Sequence, residues 1–210
     1  VSADVLESIS ATLRLSATER EYLFGLVQNR PPPQKGTGDA DVTPAVQRML
    51  DALDIPAVVM TARWDVVAWN AMAVAVFRDY AQIEPERRNL LRILLVDDAI
   101  YATDSEHYEA MARRVLAKFR VDYSQFTGDP AFEALIGELD RDSEAFRRLW
   151  NSPEVSGQSE GLGHYPQHGG LALEHTSYIP EGAAGLRLVV YSPHDPQTAE
   201  KLRTIRANAN

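Results

Sequence analysis

The sequence predicts an α+β fold: a five-stranded antiparallel sheet covered by helices, preceded by a short helical segment. Three observations predict it. Two short runs rich in β-branched residues, Pro56–Thr61 and Val66–Trp69, stand close together early in the chain. A long middle stretch carries apolar residues at i, i+3 and i+4. Three runs then alternate apolar and polar residues between Gly/Pro turns, at Gly157–Tyr165, Gly170–Tyr178 and Gly185–Tyr191. Strands, then helices, then strands suggest an antiparallel sheet with its helices segregated to one face.

Each element has a local reason. Residues 3–15 and 17–28 read as two short helices, the first with Val5, Leu6, Ile9 and Leu13 on one face. Ser16-Ala-Thr-Glu19 is a capping-box pattern, in which hydroxyl and carboxylate satisfy free N–H groups reciprocally. Arg30-Pro-Pro-Pro-Gln-Lys-Gly-Thr-Gly-Asp39 is stiffened by prolines and loosened by glycines, so it reads as a linker. The expected organisation is therefore 1–29 helical, 30–41 linker and 42–210 main domain. The main domain opens with a helix at Pro44–Leu53, with Thr43 as cap and Pro44 at the first helical position. A tight turn at Ala62–Asp65 joins the first two strands, and Asn70 leads into the small-residue helix Ala71–Phe77. Asn89–Leu95, His107–Phe119, Pro130–Leu139 and Ser143–Trp150 supply the middle helices, and Asp195–Ala207 the last.

Bulk properties narrow the function. The chain has 210 residues, 45% hydrophobic and 24% charged, ordinary for a globular domain plus an appendage. Net charge is −9, and the basic pairs Arg87-Arg88, Arg113-Arg114 and Arg147-Arg148 each sit beside acidic residues. DNA affinity rests largely on neutralising phosphates, so this chain alone is not expected to hold DNA. Cysteine is absent, which excludes disulfides and thiolate metal sites and fits a reducing cytoplasm. The longest apolar runs, Ile55–Met60 and Ala71–Phe77, fall far short of the roughly 18 residues that span a bilayer. Val1–Asp4 shows no secretory signal pattern. The chain opens at Val1 directly in helix-like sequence, and the expectation is that an upstream part precedes it.

Catalytic and metal chemistry find little support. No glycine-rich phosphate loop follows a strand, no Gly-x-Ser-x-Gly elbow occurs, and no two carboxylates form a recognisable acid–base pair. His164, His168 and His175 lack Glu or Cys at metal-ligand spacing. A sheet with helices on one side instead encloses a space between layers, where apolar ligand sites commonly lie. Trp69, Phe77, Leu91, Leu95, Phe119 and Trp150 are the expected apolar lining, with Asn70, Arg92 or His175 as polar anchors. Each has an ordinary alternative. Asn70 either meets a ligand or caps the following helix. Trp69 and Trp150 either wall the pocket or fill the core. Arg92, inside Leu90–Leu95, either binds a ligand carboxylate or pairs with Asp97, Asp98 or solvent. His175 either faces the ligand or is a satisfied core residue.

Four stretches carry a family resemblance. Trp64-Asp-Val-Val-Ala-Trp-Asn70 with Ala71-Met-Ala-Val-Ala-Val-Phe77 resembles the opening of a PAS domain. Arg88-Asn-Leu-Leu-Arg-Ile-Leu-Leu95, Ser143-Glu-Ala-Phe-Arg-Arg-Leu-Trp150 and Leu186-Arg-Leu-Val-Val-Tyr191 resemble, in the same order, the ligand-binding domain of MmyB-like transcription regulators. Coverage runs from about Thr43 to Ala207. Residues 1–28 are similar to the last helices of the helix-turn-helix domain that precedes this sensor. The chain departs from the pattern at His107-Tyr108 and at His175. The resemblance implies a cytoplasmic, DNA-binding regulator of the XRE type whose PAS-like domain senses a small lipophilic molecule such as a fatty acid. It implies no catalysis, no firm cofactor and no membrane partner. DNA would be held through the upstream helix-turn-helix, and dimerisation is expected because such regulators read paired half-sites. Two other readings stay open: a small hydrolase using His175 or His164 as base, and an interaction module with a fully packed core.

Overall fold

The computed structural model describes residues 3–16, 19–20, 23–24, 42–97, 105–126, 128–151, 160–180 and 185–209. Two compact units divide it, Val1–Gly36 and Thr37–Asn210. The expected linker and most of the second expected helix lie outside the described residues.

In the first unit, α1 (Ala3–Thr12) buries Leu6 and Ser10 and leaves Val5 and Ile9 exposed, as is Leu13 just beyond its end. It stops earlier than the expected residue 15, for a local reason. Arg14 turns left-handed at φ 52°, Leu15 N–H donates to the Ser10 carbonyl and Arg14 N–H to that of Ala11. This paired closure ends a helix by satisfying its last carbonyls. The capping box forms: Ser16 N–H donates to the Glu19 carboxylate at 2.8 Å, and Glu19 N–H to the Ser16 hydroxyl at 3.3 Å.

The second unit is built on one five-stranded antiparallel sheet. Its strands are β1 (Ala57–Thr61), β2 (Val66–Trp69), β3 (Glu160–Tyr165), β4 (Leu171–Tyr178) and β5 (Leu186–Pro193), in the order β2-β1-β5-β4-β3. The central pairing of β1 with β5 joins residues more than a hundred positions apart, with Val58 opposite Val189 and Met60 opposite Arg187. Between β1 and β2 the register shifts at Val59/Met60, and Trp64 in their turn adopts φ 70°. A positive φ is unusual for a bulky side chain.

Alternation along the strands defines two faces. One presents Val58, Met60, Val66, Trp69, Leu171, Leu173, His175, Ser177, Arg187, Val189 and Tyr191. Against this face lie α3 (Ala71–Val76), the short α4 (Leu90–Arg92) running into a π-helical turn (Ile93–Asp97), α5 (Ser105–Tyr123), α6 (Pro130–Asp142), α7 (Glu144–Trp150) and α8 (Pro196–Ala209). The other face is not bare. There α2 (Pro44–Asp51) lays Leu50 against Ala57, Val59, Ala68, Leu188 and Val190. The expectation of helices on one face alone thus needs amending. Ala57-Val-Val-Met60 is buried at every position, and an unbroken apolar run marks a strand covered on both sides.

Most helix starts follow the sequence. Thr43 and Ser143 cap α2 and α7 by accepting the N–H groups of Val46 and Phe146. Asp129 caps α6, which begins with Pro130. Asp195 accepts the Thr198 N–H at 2.7 Å, and the Thr198 hydroxyl accepts that of Ala172, tying α8 to β4. Lys201 adds two 2.7 Å bonds to the Gly169 and Gly170 carbonyls of the β3–β4 turn. The π turn is the main departure: the 89–95 stretch forms less than one turn of α-helix before it widens.

Candidate functional site

Two apolar clusters form on the helix-covered face. The larger centres on Phe119, fully buried, with the Trp64 ring edge-on at 5.6 Å, Phe132 at 6.0 Å and Trp150 at 6.0 Å. Leu91, Leu95, Leu116, Val58, Met60 and Val189 complete it, none more than 7% exposed. The smaller joins Met72 and Val76 of α3 to Leu171 and Leu173 of β4 and Leu202 of α8.

Between the clusters runs a seam of aromatic residues that are only half-buried. Phe77 stands 4.8 Å from Tyr191 and 5.2 Å from Tyr165, and Tyr191 stands 6.2 Å from the His175 ring. Phe77 and Tyr191 pack against both clusters. Residues on the same sheet face under the Phe119 cluster are sealed, whereas Phe77, Tyr165, His175 and Tyr191 keep partial access.

One end of the seam is polar. Arg114, Lys118 and Asp122 recur every four residues along α5 and share one side of it. The Lys118 ammonium reaches the Ser177 hydroxyl of β4 at 3.5 Å. Asp122 takes both arms of Arg187 on β5 at 2.6 and 2.8 Å and the Trp64 indole N–H at 2.8 Å. Burial, and next the Arg187 charge, press the Lys118 ammonium below its ordinary pKa, with Asp122 opposing. Burial likewise lowers the His175 imidazole, and the Lys118 charge lowers it further. That ring lies over Gly161 of β3, where a Cβ would meet the imidazole edge at 2.7 Å.

The residues singled out from sequence fall into distinct settings. Leu91, Leu95 and Phe119 are sealed in the larger cluster, with Trp150 half-buried at its edge, stacked 4.9 Å from Phe146 under the Arg120 guanidinium. Phe77 and His175 meet through Tyr191. Trp69 lies at the far end of β2, half-buried, 5.4 Å from Tyr80 and beneath the Arg88 guanidinium. Asn70 is buried and held by the backbone around it. Its oxygen accepts from Ala57 N–H at 3.1 Å and Ala73 N–H at 2.9 Å, and its amide donates to the Ile55, Leu53 and Leu50 carbonyls at 2.8, 3.2 and 3.3 Å. Arg92 forms ion pairs with Glu138 of α6 and, at 3.8 Å, with Asp97.

Sequence reasoning passed over Tyr165, Tyr191, Lys118 and Ser177. Tyr191 was legible in part, because strand alternation sets it on the face of Val189. Lys118 was not, since a lysine in a charged helix ordinarily reads as solvated.

Among the described residues no helix is long and apolar enough to cross a membrane, and no His/Cys/Asp/Glu group is placed to hold a metal ion. Residues 42–205 match the family model of the MmyB-like transcription regulator ligand binding domain. No curated protein matches the chain.

Proposed function

The chain belongs to the MmyB-like transcription regulator ligand binding domain family, and from that premise we propose that it is the sensor of a bacterial, cytoplasmic DNA-binding regulator. Its ligand is a small apolar molecule, such as a fatty acid, lodged between sheet and helices along the seam of Phe77, Tyr165, Tyr191 and His175. Leu91, Leu95, Phe119, Trp69 and Trp150 shape the wall behind it, while Asn70 and Arg92 hold that wall in place.

One observation carries the reading: aromatic side chains that stay half-open between two sealed clusters on one face of the sheet. Tight packing is the norm in protein interiors, so large rings left partly uncovered at such a place suit a guest. The His175 surroundings favour binding over catalysis. Its charged neighbours on this face are Lys118 and Arg114, while Glu174 projects to the opposite face, 3.8 Å from His194. A general base ordinarily leans on a carboxylate instead.

The ligand acts by different affinity for two domain arrangements, relayed through 30–41 to residues 1–29, read here as the end of a helix-turn-helix domain that acts as a homodimer. Native mass spectrometry of the purified protein, compared with its denatured extract, tests the reading. A lipophilic compound released only on unfolding is the expected result. A bare protein that also gains no thermal stability from lipophilic probes overturns it.

A further inference from the structure

The two edges of the sheet are finished differently. At the β2 edge the chain covers itself: Val66 N–H donates to the Arg88 carbonyl at 2.6 Å, Leu90 N–H donates to the Trp64 carbonyl at 2.9 Å, and Asp65 forms a bridge with Asn89. At the other edge β3 pairs with β4 along its whole length, Glu160–Tyr165, without a shift of register. Among the described residues no strand lies on its outer side. Free backbone N–H and C=O groups on a regular edge invite a further strand, and proteins ordinarily blunt such edges with lysine, proline, a bulge or a covering loop. β3 contains neither lysine nor proline, and no bulge interrupts its pairing. Alternation puts Leu162 and His164 on the face of Glu174, and both are exposed, Leu162 at 37%. Gly161 and Gly163 point to the other face, where the His175 and Tyr165 rings lie 2.7 and 2.8 Å from the place of a Cβ. The two glycines thus answer to rings of their own chain, whereas Leu162 stays open.

We propose that β3 is the edge on which a second copy of this chain docks, antiparallel and about a two-fold axis through Leu162, so that one sheet runs through both copies. A two-fold contact sets a patch against itself, and Gly161-Leu162-Gly163 reads the same in both directions. This axis pairs Leu162 with its counterpart, Gly161 with Gly163, and position 160, a glutamate, with His164. Directly opposed residues share a face. The two leucines therefore cover each other where each is now open, and an acid stands opposite an imidazole. Moving the axis by one residue sets Leu162 against His164 or against the glutamate position, and the apolar pair is lost. Backbone hydrogen bonds hold the two edges together, and the Leu162 pair fixes the register. This contact lies within the second unit and needs neither a guest nor residues 1–29, so its failure leaves the sensor reading untouched.

The chain contains no cysteine, so single cysteines placed on β3 report on this contact alone. Opposed Cβ atoms of an antiparallel pair stand about 4.5–5.5 Å apart, close enough for a short bifunctional thiol reagent to join them. Leu162→Cys in the full chain is expected to give a covalent dimer on a denaturing gel. His164→Cys is expected to give none, because its counterpart lies about 13 Å along the strand, four residues at roughly 3.3 Å each. Val67→Cys, exposed on β2 at the covered edge, should likewise stay single. A mixture of Glu160→Cys with His164→Cys keeps Leu162 intact and should cross-link, while neither variant does so by itself. Far-UV dichroism verifies that each variant is folded. Single chains in every folded sample, including the mixture, overturn the proposal and leave the edge to a different partner, such as an extended peptide. Cross-linking to the same extent at all positions overturns it too, since that is the mark of random collision.

Discussion

Replacing Asn70 by alanine separates a structural role for this side chain from a ligand-binding one. Its oxygen is the acceptor for two buried N–H groups, Ala73 at the start of α3 and Ala57 at the start of β1. Loss of the helix cap costs about 1 kcal/mol. Leaving the Ala57 N–H without an acceptor adds about 1–3 kcal/mol. The carbonyls of Ile55, Leu53 and Leu50 lose their donor too, so the total is about 2–4 kcal/mol, the sum of the cap and orphan-donor costs. With a urea slope of about 2 kcal/mol per molar, the unfolding midpoint should fall by about 1–2 M. Asn70→Asp keeps the acceptor but turns a second oxygen on the three carbonyls, so it should be no milder. Equilibrium urea unfolding followed by tryptophan fluorescence measures both. An Asn70→Ala midpoint within a few tenths molar of the parent, combined with loss of the bound compound, would refute the reasoning and return Asn70 to the ligand.

Asp122→Ala strips the partner from Arg187 and the acceptor from the Trp64 indole, and should cost about 3–5 kcal/mol in urea unfolding; an unchanged midpoint would show the pair to be dispensable. His175 carries a pH dependence with a definite sign. Its imidazole is held below the ordinary 6.5 by burial first and the Lys118 charge second. Between that lowered value and 6.5 the unfolded chain binds more protons than the folded one, so stability falls as pH drops through this window and is level above it. Imidazole titration by NMR should place His175 below 6.5, and His175→Phe should flatten this part of the curve; a value above 6.5 would contradict the burial argument. Gly161→Ala drives a methyl into the His175 ring and should destabilise by about 1–3 kcal/mol. The double variant with His175→Ala should recover most of that loss, and simple additivity would show that the two do not touch.

Much of the fold was legible because its signals are local. Thr43, Asn70, Asp129 and Ser143 each cap a helix through a bond to an N–H two or three residues ahead. Alternation along Gly170–Tyr178 and Gly185–Tyr191 marked two strands before any partner strand was known. The π turn was not legible, since Leu90–Leu95 has helical spacing and nothing in it distinguishes a widened turn from an α-helical one. Of the candidate site residues, Phe77 and His175 converge, through Tyr191, and strand alternation placed His175 on its face without saying which ring it would meet. Arg92 needed the fold, because Glu138 lies over forty residues further on, whereas Asp97 was near enough to be foreseen.

The sequence alone determined most of the strand and helix segments, and caps such as Thr43 and Asn70, since these follow from contacts within a turn or a pleat. It also carried the family resemblance. Only the tertiary structure decided what each apolar or charged side chain faces. Lys118 meets Ser177, Asp122 meets Arg187, and Trp64 meets Asp122 across 59, 65 and 58 residues of chain. Periodicity fixes the direction in which a side chain leaves its own helix or strand; which other segment waits there depends on how the sheet and helices assemble.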